Sequence, residues 1–510
     1  MINLGFLNAL KERLVSSPIL YRFARGAFWS LLGTFVCRIF TFASTIIVAR
    51  LLGKDGYGEM GMVLSTIGMF GVFAGFGLGT TATKFIAEFH QRDVQKTGRI
   101  IVLTTIVGMM FSSFFALVCL LLSPWLSTKI LTRPDLVPLL ISGALLLFMS
   151  AMNGVMSAAL TGFEAFRKIA EINIWQAATV PFFTIPLVWF FGVQGAISSA
   201  TIQAALGLLL CTLALNKNYL KGRIPIHYSR DIWREWPILW TFSLPSMMSA
   251  LMMAPATWIT NSMLVNQPNG YGELGLFTAA NQWRNIVIVI PGILSSAILP
   301  ILSETHGNDD KTDFKKTVAF NIHLTWIVAL PLTVLVVTFG DLLAALFGKQ
   351  FHGAGPIIAI LMVACFLNIV NGAVGSALAG SGRMWTGTFM NLGWAIILVT
   401  TAYFIIPNEG GKGLAFAYLA AYFVHTLWQM TYLELRIARF AVTSHWLLAI
   451  FTLLILVFCL TMSFNNYDNY LYKLIIFAMS LVPLLTYIRT QIRQHELKKE
   501  LKIDESSNPL

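Results

Sequence analysis

Apolar residues along this chain come in long runs separated by short polar stretches, and the runs recur from Ala24 to Ile488. A helix rises about 1.5 Å per residue and needs roughly 20 apolar residues to cross about 30 Å of hydrocarbon. Each run therefore predicts one membrane-spanning helix. Fourteen spans are expected, at 24–49, 60–82, 100–122, 136–162, 172–191, 196–215, 236–265, 277–302, 318–339, 357–379, 385–406, 414–433, 446–463 and 471–488. A membrane barrel would instead show segments of about ten alternating residues, which this chain lacks. The expected fold is all-α and polytopic. Ahead of the first span, Leu4, Leu7, Leu10 and Leu14 recur at helical spacing opposite Lys11 and Arg13. That pattern fits either a short helix on the bilayer surface or a frayed tail, and not a cleaved secretory signal.

A repeat organises the spans. Gly56-Tyr57-Gly58-Glu59-Met60-Gly61-Met62 returns 214 residues later as Gly270-Tyr271-Gly272-Glu273-Leu274-Gly275-Leu276. Asn153-Gly154 returns as Asn371-Gly372, and Gly192 with Gly195 as Gly410 with Gly413, both 218 residues on. Matches in the same order indicate a duplication. Each copy holds six spans, an even number, so the copies enter from the same side and form two parallel-repeat lobes. The expected organisation is an N-terminal segment 1–23, an N-lobe 24–215, a linker 216–235, a C-lobe 236–440, two further helices 441–488 and a charged tail 489–510. Two similar lobes can rock about a shared interface, which points to transport by alternating access.

Composition agrees with this picture and charge orients it. The chain is 56% apolar and only 11% charged, with a formal charge of +12. Soluble chains carry about 25% charged residues, so a water-soluble enzyme is excluded. With the amino terminus cytoplasmic, 26 of the 35 Lys and Arg fall on the inner side and 7 on the outer side. That is the positive-inside asymmetry, and it places both termini in the cytoplasm. The basic surplus sets topology and meets lipid headgroups, leaving no nucleic-acid patch. All five cysteines lie in apolar runs, and the eight histidines show no metal-ligand spacing. Gly75, Gly77 and Gly79 lack the strand and the Lys-Ser or Lys-Thr pair of a phosphate loop, and fit close helix packing or a flexible point. No cofactor is implied.

Two arginines, Arg38 and Arg284, remain inside spans. An arginine near mid-bilayer costs roughly 2.5–3.5 kcal/mol on insertion scales, so Arg38 either faces a polar interior or snorkels from a tilted helix. Asn281, Arg284 and Asn285 share one helical face, which suits a lined cavity, with snorkelling the alternative. Asn153 and Asn371 are equivalent positions, either bonding helix to helix or lining a cavity as a symmetric pair. No Asp or Glu lies deep in any span, so fixed positive charge dominates and an anionic cargo such as a phosphate or pyrophosphate is favoured.

The chain resembles the oligosaccharide flippases of the polysaccharide biosynthesis family, the Wzx-like branch of the multidrug, oligosaccharidyl-lipid and polysaccharide exporter superfamily. The most specific stretch is Ile46-Ile47-Val48-Ala49-Arg50-Leu51-Leu52-Gly53-Lys54-Asp55-Gly56-Tyr57-Gly58. The resemblance implies a bacterial inner-membrane flippase moving an undecaprenyl-pyrophosphate-linked oligosaccharide (an O-antigen, capsule or exopolysaccharide unit) from the inner to the outer leaflet. It further implies a pyrophosphate held by arginines of spans 1 and 8, where Arg38 and Arg284 lie, and a polysaccharide polymerase as a possible partner besides membrane lipids. No ATP-binding loop is present, so the energy comes from an ion gradient, the membrane potential or product removal. A cation-coupled multidrug exporter and a membrane glycosyltransferase or ligase remain as alternatives. Parallel repeats require that topology reporters fused at Glu59 and at Glu273 report the same outer face; opposite faces would refute the arrangement.

Overall fold

The computed structural model describes residues 18–217, 230–292, 311–437, 446–464 and 470–506, with the single positions Ile224, Ser295, Ile298 and Leu302. The expected surface helix over residues 1–17, most of the linker and the inner end of span 8 lie outside the described residues. The regular elements among the described residues are all helices. Eight helices among them are long and apolar enough to cross a membrane, and the chain is an all-α, multi-pass membrane protein. Phe182 and Phe190 are each 76% exposed, as side chains facing hydrocarbon are.

The chain divides into two compact units, residues 1–278 and 279–510. The first unit contains α1 (Pro18–Gly75), α2 (Leu78–Phe89), α3 (Val94–Trp125), α4 (Val137–Gly162), α5 (Phe166–Leu215), α6 (Leu244–Leu251), α7 (Ala254–Val265) and the start of α8 (Gly270–Val287). Its core joins Leu78, Ile86, Leu103, Val107, Val155 and Leu160, from α2, α3 and α4. The second unit contains the rest of α8, then α9 (Lys311–Thr338), α10 (Gly340–Ala345), α11 (Ala354–Gly380), α12 (Met384–Arg436), α13 (Trp446–Phe464) and α14 (Tyr470–Ser506). There α11 is the central element, with 83% of its apolar window buried.

α5 and α12 run for 50 and 53 residues, roughly 75 Å if straight, yet neither is. Gly192 (φ 56°, ψ −133°) and Gly410 (φ 53°, ψ −129°) leave the helical region, in a conformation that disfavours any residue with a Cβ. A straight helix would separate residues eight apart by about 12 Å, but a side chain at Gly195 would run into the Leu187 carbonyl, and one at Gly413 would lie 2.8 Å from that of Ile405. Gln176 accordingly donates to the Gln203 carbonyl, and Arg383 to the Arg436 carbonyl, across 27 and 53 residues. Each long helix is a hairpin of two arms. The repeated glycine pair supplies one residue for the reversal and one for the close return.

Expected spans 60–82 and 236–265 are each interrupted among the described residues. Span 60–82 breaks at Phe76 and Gly77, both at positive φ, where Gly77 lies against the Ser243 carbonyl. Span 236–265 divides into a π-turn at Leu239–Ser243, α6 and α7, with Pro245 and Pro255 in the first turns of α6 and α7, where a missing N–H is tolerated.

The duplicated motif meets itself. A side chain at Gly58 would collide with the Tyr271 carbonyl, one at Gly275 with the Lys54 carbonyl, and one at Gly61 would lie 2.7 Å from Thr278 Oγ1. Both copies keep their glycines because each forms half of a backbone-to-backbone crossing. Gly58→Ala and Gly275→Ala should each destabilise the folded protein by about 1–3 kcal/mol, read as a lower thermal midpoint in detergent; an unchanged midpoint in both would show that the crossing is not tight.

Candidate functional site

The second unit encloses Arg284, one of the two arginines that the apolar runs place within spans. Arg284, in the last turn of α8, has its Cζ 5.7 Å from the Tyr418 ring centroid and donates to the Tyr422 hydroxyl. Trp394 is 2% exposed and completes an aromatic cluster, 6.1 Å from Tyr418 and 5.2 Å from Tyr422 between centroids. The Cys365 thiol points to the Arg284 carbonyl at 3.9 Å. The aromatic faces suit a guanidinium, but they cannot accept from all five of its N–H groups. Arg284 Nε is enclosed with no hydrogen-bond partner among the described residues. Asn281 and Asn285 flank it on the same helix, and all three side chains are half-buried.

On α12, Tyr418, Tyr422, His425 and Gln429 follow at spacings of four, three and four, and so share one face. His425 and Gln429 are 5% and 4% exposed. His425 Nδ1 lies 3.3 Å from Asn371 Nδ2 on α11, and its Nε2 lies 3.3 Å from Gln429 Nε2. Asn371 is therefore part of a buried polar chain. Its counterpart Asn153 is half-buried in the first unit, where a Cβ at Gly207 would lie 2.9 Å from Asn153 Oδ1. Gly207 is 218 residues before His425, the same offset that relates the two asparagines. The copies have diverged at this position, with a glycine closed over by the Gln176 and Asn153 amides in one and a titratable ring in the other. The aromatic cluster and His425 escape a search for metal-ligand spacing, although the four-residue face of α12 is readable from the sequence.

Arg38 is exposed on α1, in the first unit. That unit also carries a polar seam between α1–α2 and α6–α7. Thr66 accepts from Trp258 Nε1 at 3.0 Å, Ser65 from Asn261 at 2.9 Å, and the hydroxyls of Thr81 and Ser243 lie 2.7 Å apart. At one end Arg133 pairs with Glu59 at 2.7 Å and lies over the Tyr271 ring, whose hydroxyl donates to the Leu131 carbonyl. Burial holds the Tyr271 phenol well above its ordinary range. This seam explains why the compact unit extends to Thr278. No group of three His, Cys, Asp or Glu capable of holding a metal occurs among the described residues.

Known proteins agree with this architecture. The family described as "Polysaccharide biosynthesis protein" matches residues 23–306, and the MatE family matches residues 245–404. The chain is 24% identical over 304 residues to the EPS I polysaccharide export inner membrane protein EpsE of Ralstonia nicotianae, covering 57% of this chain and 66%, just under two thirds, of EpsE. It is 23% identical over 412 residues to the lipid III flippase of Escherichia coli K12, covering 79% and 96% of the two chains. Among solved structures, the lipid II flippase MurJ in an inward closed conformation superposes with a TM-score of 0.68 at 14% identity, covering 91% of this chain and 98% of MurJ. That likeness is one of fold.

Tyr422→Phe removes the hydroxyl that accepts from Arg284 and leaves the ring. The variant should stay folded, with Arg284 modified several-fold faster by an arginine-specific dicarbonyl reagent, as read by peptide mass spectrometry; an unchanged rate would mean that the hydroxyl does not hold the guanidinium.

Proposed function

The chain belongs to the polysaccharide biosynthesis protein family, a family of transporters and not of enzymes, and from that premise we propose that it flips a lipid-linked oligosaccharide. The cargo in this reading is an undecaprenyl-pyrophosphate-linked O-antigen, capsule or exopolysaccharide unit, carried from the inner to the outer leaflet of a bacterial inner membrane. The names of EpsE and of the lipid III flippase support a lipid-linked or polysaccharide cargo. The single observation that carries the headgroup assignment is Arg284, a permanent cation in a span with an enclosed, unpartnered Nε. A diphosphate supplies the acceptors that the surrounding rings cannot, and arginine binds it through paired, charge-assisted hydrogen bonds.

In this reading Arg284 holds the pyrophosphate, and Arg38 is a separate candidate contact for it. Asn281 and Asn285 orient the sugar-proximal end, and Asn153 and Asn371 contribute polar lining. The lipid tail remains in the hydrocarbon while the headgroup crosses, so no covalent bond changes and no cofactor is required. Fourteen spans in two six-helix lobes, 24–215 and 236–440, with 441–488 added and both termini cytoplasmic, provide the alternating access. The reversals at Gly192 and Gly410 support that count, because each converts one long helix into two crossings. A polysaccharide polymerase is the expected consumer of the flipped unit. The MatE match over 245–404 favours one second reading, a cation-coupled drug exporter; the lack of an acidic residue deep in any span weighs against it.

Deleting the gene should cause a pyrophosphate-linked glycan to accumulate on the cytoplasmic face, measured by lipid extraction and mass spectrometry. Drug sensitivity with an intact surface glycan would instead establish the exporter. Complementation by Arg284→Ala or Arg38→Ala should fall at least about tenfold with normal levels of folded protein, as expected for loss of a charged hydrogen bond of about 1.5–3 kcal/mol. Full complementation by either variant would remove that arginine from the site.

A further inference from the structure

His425 plays no part in holding a headgroup, yet it is among the most deeply enclosed titratable side chains of the second unit, 5% exposed with both ring nitrogens engaged. Its two partners are amides, and each has a second polar atom to spare. Asn371 Oδ1 and Gln429 Oε1 are enclosed with no hydrogen-bond partner among the described residues. An imidazole always carries at least one N–H, so it can accept from only one of two amide N–H groups. In the neutral ring, one amide must therefore turn its oxygen to the ring N–H. When both amides turn, both oxygens accept, and an imidazolium with two N–H groups is fully satisfied. Rotation of a terminal amide moves no backbone atom. The three side chains thus complete the hydrogen bonds of the ring in either protonation state.

We propose that Asn371, His425 and Gln429 form a proton-binding site at the contact of α11 with α12. An incoming proton bonds to the ring nitrogen that accepts in the neutral tautomer; no bond breaks and nothing leaves. Asn371 belongs to α11 while His425 and Gln429 belong to α12, so the change of amide orientation falls on the contact between two helices. The titratable and charged groups on the same face are Tyr418 and Tyr422 of α12, which Cys365 of α11 and Arg284 of α8 approach. No carboxylate is among them and Arg284 is a cation, so the two amide oxygens are what offset the cost of a buried imidazolium. The first copy has no equivalent, since Gly207 stands at the position of His425 and leaves its place to the amides of Asn153 and Gln176. The proton site stands on this geometry alone.

Solid-state NMR of the full-length protein in lipid bilayers, with isotope-labelled histidine, reads the site without any substrate. The His425 resonance is identified by its loss in His425→Gln and, should that variant not fold, by its displacement in Asn371→Leu. It is expected to convert between neutral and imidazolium forms between about pH 4 and about pH 9, with a midpoint moved by about one unit or more in Asn371→Leu and in Gln429→Leu. A ring that keeps one form throughout, or a midpoint indifferent to both amides, would overturn the proposal. The measurement does not depend on glycan accumulation, so failure of the proton site and failure of the transport reading are separable.

Discussion

A polar group placed in hydrocarbon without a partner costs several kcal/mol, and that constraint organises this molecule at every level. It admits only helices across the bilayer, because a helix satisfies its own backbone. It also explains where helices break. The reversals in α5 and α12 sit at Gly192 and Gly410, and the interruptions of spans 2 and 7 occur where α2 and α6 lie against each other, with Gly77 backed onto Ser243. Side-chain polarity follows the same rule. Threonine, serine, asparagine and tryptophan pair across the seam of the first unit, while in the second Arg284 Nε, Asn371 Oδ1 and Gln429 Oε1 are enclosed without a hydrogen-bond partner among the described residues.

The repeated motifs share their backbone geometry, and their side-chain chemistry differs. The crossing of the Gly-Tyr-Gly-Glu motifs and the paired reversal glycines are common to both copies, because backbone approach depends on the absence of a side chain. Elsewhere the copies differ in kind. At an offset of 214, Arg284 answers to Phe70, and at 218 His425 answers to Gly207 and Tyr422 to Ala204. The aromatic rings, the guanidinium and the titratable ring thus belong to the second copy. Arg38, exposed on α1, is the intramembrane cation of the first.

Much of the fold was legible in the sequence because membrane helices are written in a long, simple code of apolar runs, and because duplication repeats its own landmarks. Gly192 with Gly195 and Gly410 with Gly413 mark equivalent points in the sequence, and Gly192 and Gly410 take the same non-helical conformation. Breaks within a span were less legible: Phe76 and Gly77, or Met252 and Met253, interrupt helices inside runs that hydropathy reads as continuous, since hydropathy carries no information on which carbonyl a neighbouring helix presents. The candidate site divides in the same way. Arg38 and Arg284 stand out by their cost in lipid, whereas His425 gains its meaning from Asn371, 54 residues away, and from Gln429. Metal-ligand spacing was the wrong template for a histidine whose partners are amides.

An embedded guanidinium that recognises the anionic headgroup of a polyprenyl lipid must discriminate that lipid from its uncharged alcohol. Native mass spectrometry of the purified protein with undecaprenyl pyrophosphate and, in parallel, with undecaprenol reads that discrimination. The pyrophosphate lipid should be retained over the alcohol, with that preference reduced in Arg284→Ala. Equal retention of the two lipids, or a preference untouched by the substitution, would refute headgroup recognition by Arg284.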